Sequence, residues 1–69
     1  MIISDFTTRE LEHLRTQCNF VGYEADVFEL RSKGVSLEEI AEIINMTVDG
    51  IKKISRKVNS KISRELSVH

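Results

Sequence analysis

The chain has 69 residues, of which 41% are hydrophobic and 30% charged, with a formal net charge of −1. A chain of this length forms one domain with a modest core and leaves little room for a catalytic cleft walled off from water. It contains no proline and only three glycines, at positions 22, 34 and 50, which favours an all-α fold of helices with few breaks.

Four helical segments are expected. The first covers about 8–19. Thr7 followed by Glu10 is a capping-box pattern, and Leu11, Leu14 and Cys18 follow at spacings of three and four as one apolar stripe. Asn19 to Gly22 reads as a break. The second covers about 23–33, with Val27, Leu30 and either Phe28 or Tyr23 facing inward. Arg31 and Lys33 suit the negative end of the helix dipole, and Gly34 is placed to end the helix in a left-handed conformation. The third covers about 37–44. Ser36 and Glu39 form the clearest capping box, Leu37, Ile40, Ala41 and Ile44 supply the apolar face, and Asn45 suits a left-handed turn.

The fourth segment, about 48–66, starts from Thr47 as N-cap. Ile51, Ile54, Val58 and Ile62 fall within a narrow wedge at 100° per residue. Asp49, Lys53, Arg56, Ser60 and Arg64 lie opposite, flanked by Lys52, Lys57 and Lys61. Charge is segregated along the chain. Residues 1–49 carry four bases and ten acids, a balance of −6, whereas residues 50–69 carry six bases and one acid, a balance of +5. For a polyanionic partner, one concentrated basic face matters more than the summed charge.

The remaining chemistry-bearing residues point to no reaction. Cys18 falls on an apolar stripe and suits a small core position; it has no disulfide partner. His13 and His69 are too far apart in sequence to build a Cys/His zinc site. Phe6, Phe20 and Tyr23 suit anchoring of helices to the core. No acid pair has a recognisable catalytic partner, so neither enzymatic activity nor a cofactor is expected. No apolar run is long enough to span a bilayer, and Met1 to Asp5 lack the features of a signal peptide. With the single cysteine, this favours a reducing, cytoplasmic setting.

The segment from Ser36 to Ile62 joins a capped short helix, a turn at Asn45-Met46-Thr47 and a longer basic helix, which is the plan of a helix-turn-helix. Val27-Phe28-Glu29-Leu30, Lys33-Gly34-Val35-Ser36, Glu39-Ile40-Ala41 and Met46-Thr47-Val48-Asp49-Gly50-Ile51-Lys52 resemble the LuxR/GerE-type DNA-binding domain without a gap. The same stretch, about residues 24–62, also resembles region four of bacterial sigma factors. Gly50 stands where both families usually carry threonine, and Asn45 where glycine or a bulkier residue is usual. The additional helix is N-terminal, an order closer to sigma region four.

The resemblance implies a sequence-specific regulator of transcription that places its last helix in the major groove of double-stranded DNA. Resemblance and helix geometry together make Lys52, Lys53 and Arg56 the candidates for base or near-base contacts, since lysine and arginine suit the acceptor pair of guanine. Lys57, Lys61 and Arg64 are candidates for phosphate contacts. Asp49 either accepts from a cytosine amino group or complements the helix dipole. Gly50 either permits close backbone approach to DNA or is neutral. Thr47 and Ser36 cap their helices and can also donate to phosphates from helix N-termini. Specific sites are expected to require a homodimer on a two-fold symmetric operator. Ile2, Ile3 and Phe6 form either a dimer surface or a docking contact with the core. The alternative function is a sigma-like interaction module that binds RNA polymerase or another regulatory protein, for which Glu38, Glu39, Glu42 and Ile43 are the candidate surface.

Overall fold

The computed structural model describes residues 3–67. A short 3₁₀ turn at Ile3–Asp5 leads into four helices: α1 (Thr8–Gln17), α2 (Tyr23–Ser32), α3 (Leu37–Ile44) and α4 (Val48–Ser67). No strand is present among these residues, and the all-α, four-helix architecture expected from the sequence is the one found.

Local chemistry sets most of the boundaries. At α1 the capping box closes in both directions. The Glu10 N–H donates to Thr7 Oγ1 at 3.2 Å, and the Thr7 N–H donates to Glu10 Oε1 at 2.8 Å. At α3 only half of the expected box forms: the Glu39 N–H donates to Ser36 Oγ at 3.2 Å, without a return bond to the Glu39 carboxylate. The clearer capping box is therefore the first one. Gly34 ends α2 at φ +83°, a conformation that costs little without a Cβ. The Val35 N–H then reaches the Leu30 carbonyl at 3.1 Å and the Gly34 N–H reaches the Arg31 carbonyl at 3.0 Å, which satisfies two otherwise orphaned acceptors. Asn45 ends α3 in the left-handed region, φ 64° and ψ 51°, and the Met46 N–H folds back onto the Ala41 carbonyl at 2.9 Å.

The core forms where α2 and α3 pack on α4. Val27 and Phe28 from α2, Ile40 from α3, and Ile51, Val58 and Ile62 from α4 are wholly shielded from solvent, with Ala41 almost so. Phe20, in the α1–α2 connection, stacks on Phe28 with ring centroids 4.7 Å apart. Leu14 and Cys18 bring α1 onto the same cluster.

The core departs from the sequence reading at Tyr23 and Ile54, and it decides two points that the reading left open. The inward aromatic of α2 is Phe28, and Tyr23 is exposed rather than an anchor. The buried face of α4 is centred on Ile51, Ser55, Val58 and Ile62, while Ile54 is only half-buried. At 100° per residue Ile51, Val58 and Ile62 form a narrow arc, and Ser55 lies about 20° beyond one edge of it whereas Ile54 lies about 40° beyond the other. Ile3 is buried beneath α2 and Phe6 packs against the core, so this segment docks intramolecularly. Ile2 lies outside the described residues, as does His69.

Candidate nucleic-acid interface

The three residues 45–47 link α3 directly to α4. Thr47 starts the longer helix: the Gly50 N–H donates to Thr47 Oγ1 at 3.1 Å, and the Ile51 N–H donates to the Thr47 carbonyl at 3.1 Å. Gly50 leaves room for this cap. A Cβ at position 50 would sit 3.2 Å from both Thr47 Oγ1 and Met46 Cε, so the missing side chain is the space into which the cap and the methionine pack. Asp49 is exposed in the first turn, where its charge complements the dipole. Ser36 is half-buried and its hydroxyl is engaged in the α3 cap.

Beyond the cap, α4 divides cleanly. Its apolar side is buried in the core. Lys52, Lys53, Arg56, Lys57 and Arg64 are all exposed on the other side. From Lys52 to Lys57 they span an arc of roughly 140°, and from Lys52 to Arg64 roughly 18 Å along the axis. None of the five is ion-paired among the described residues. The ion pairs lie elsewhere: Arg15 with Glu29, Lys61 with Glu24, and His13 Nε2 with Glu65 Oε1 at 3.3 Å. The last contact matters for the basic face. Glu65 is the only acid after Asp49, and it is turned toward α1 rather than into the row of cations.

Lys61 is set apart from the other candidate residues. Its ammonium contacts the Glu24 carboxylate and donates to the Asn19 carbonyl at 3.1 Å, which ties α4 to the start of α2. The Lys61 backbone carbonyl lies 3.7 Å from Cys18 Sγ, so the same residue also borders the α1 contact. This side chain is held within the fold, and residue type alone does not distinguish it from Lys57. The clue available in the sequence was its position beside the apolar wedge.

The hydrogen bond from Lys61 holds the Glu24 carboxyl below the ordinary value of 4.5, opposed by partial burial and reinforced by the Val21 N–H. A carboxylate whose folded value is depressed stabilises the fold above its unfolded value, and loses that contribution as pH falls through the folded value. Lys61→Met is therefore expected to remove part of the decline in thermal stability below about pH 4.5. Parallel acid-limb melting curves for this variant and the parent would refute the assignment. Cys18 has no comparable polar role: burial pushes its thiol up, away from the reactive thiolate.

No group of His, Cys, Asp and Glu among the described residues is arranged to hold a metal ion. No helix among them is long and apolar enough to cross a membrane. No protein-family model, curated protein or solved structure matches the chain.

Proposed function

We propose that this chain is a sequence-specific DNA-binding regulator of transcription, acting in the cytoplasm as a homodimer, with α3, the turn and α4 working as a helix-turn-helix. The observation that carries this reading is the row of five exposed cations on α4, none of them ion-paired among the described residues, opposite a buried face of Ile51, Val58 and Ile62 with Ser55 at its edge. A solvated surface helix commonly intersperses acids with its bases, whereas the acids of α4 stand at its two ends: Asp49 complements the dipole in the first turn, and Glu65 contacts His13. Unneutralised cations displace counterions from DNA, and this supplies affinity without any sequence preference.

Selectivity is assigned to Lys52, Lys53 and Arg56, which follow the capped N-terminus in the first turns of the helix, where side chains of a docked recognition helix meet base edges. Lys57 and Arg64 are assigned to phosphates. Thr47 and Ser36 are caps first, and Gly50 leaves room for the Thr47 cap. The resemblance to LuxR/GerE-type domains and sigma region four supports the same assignment. Titration of a ¹⁵N-labelled sample with a short duplex tests it. The largest amide shifts are expected along residues 48–57, and shifts centred on α1 or α2 would refute the docking.

The second reading, a protein-interaction module, is favoured by one observation: Ile43 on α3 is 61% exposed among acidic residues.

A further inference from the structure

The surface of α2 and α3 turned away from α4 carries a shallow groove. Its floor is Leu30 and Ile44, and its walls include Tyr23 and Ile43, which are 52% and 61% exposed. No α4 residue lines it, so it is separate from the basic face. Asp26 borders it on α2. On α3, Glu39 lies one turn before Ile43 on the same helix face. Both acids are exposed and make no ion pair among the described residues. Glu29 also borders the groove, but Arg15 neutralises it with a two-pronged contact.

We infer that this groove docks a lysine- and arginine-flanked amphipathic helix of another protein, independently of any DNA on α4. An apolar strip between two helices accepts the apolar stripe of a third helix. The unpaired acids on both sides select cationic flanks on the occupant. A second copy of this chain is disfavoured, because a two-fold pairing through this face would oppose Asp26 and Glu39 of both copies. The groove thus gives the domain a protein contact while its cationic face is on DNA.

The test uses a fluorescein-labelled helical peptide of leucine and lysine, with leucines at helical spacing, and a control in which every lysine is glutamate. The lysine peptide is expected to bind the intact chain and the glutamate peptide to bind at least tenfold more weakly. Ile43→Ser should lower affinity for the lysine peptide about tenfold, as loss of a central apolar anchor does. Asp26→Asn with Glu39→Gln should lower it roughly fivefold. Ile43 is exposed, so melting curves of Ile43→Ser should match the parent, and its duplex binding should be unchanged. Equal binding of both peptides, or an unaltered affinity in Ile43→Ser, overturns the proposal. So does a parent dimer that Ile43→Ser converts to monomer, which would assign the groove to a second copy. Loss of DNA binding in the parent would count against the α4 reading only.

Discussion

Alanine at Lys52, Lys53, Arg56 and Lys57 together is expected to remove nearly all affinity for duplex DNA and leave the fold intact. All four side chains are exposed and none is ion-paired among the described residues, so their removal takes away no internal contact of that kind. Lys52–Arg56 and Lys53–Lys57 are like-charge pairs four residues apart on one helix, and each costs a few tenths of a kcal/mol. Alanine is also the strongest helix former. The variant should therefore melt at or slightly above the parent temperature. In DNA binding, each phosphate-contacting cation contributes about 0.9 to the slope of log affinity against log salt, so the loss of Lys57 should lower that slope by about 0.9 while the loss of the three base-reading cations removes most of the remaining affinity. Fluorescence anisotropy with a labelled duplex at several salt concentrations reads both quantities. An unchanged slope in a folded variant would place any DNA contact elsewhere on the molecule.

Phe28→Ala is expected to have the largest effect on stability. Phe28 is fully buried, stacks on Phe20, and lies in the cluster joining α2, α3 and α4. Truncating such a ring costs about 3–5 kcal/mol, while a domain of this size has roughly 3–10 kcal/mol in total. The variant should be largely unfolded near 37 °C, with weak helical circular dichroism and a broad or absent transition. Tyr23→Ala, on an exposed side chain of the same helix, should differ little from the parent. A cooperative transition retained within a few degrees in Phe28→Ala would show that the core is organised around other residues.

The contrast between Phe28 and Tyr23 marks where sequence reasoning reached its limit. Both fit a helical stripe with Val27, and only the packing of α2 on α4 decides between them. Helix ends were legible because the signals act within a few residues: Gly34 and Asn45 adopt the left-handed conformations their positions suggested, and Thr47 caps α4. Ser55 was not legible as a buried residue, since it lies at the edge of the apolar arc, where a small polar side chain can face either the core or solvent. The burial of Ile3 depends on a contact with α2, more than twenty residues distant.

The candidate site was legible in outline, because amphipathic periodicity separates the cations of α4 from its core face. Two details required tertiary structure. Lys61 has the same residue type and helical context as Lys57 but meets Glu24 across the fold. Glu65 directly follows the last base of the row, and only the structure shows that it contacts His13 on α1.

Selection of the intact chain against a pool of random duplex DNA, followed by sequencing and repeated at two salt concentrations, tests the central claim most directly. Enrichment of a short two-fold symmetric motif, with binding that weakens steeply as salt rises, is the predicted result, and the half-site spacing would then define the dimer. Absence of any enriched motif together with salt-insensitive binding would contradict the claim that α4 is a DNA-reading helix.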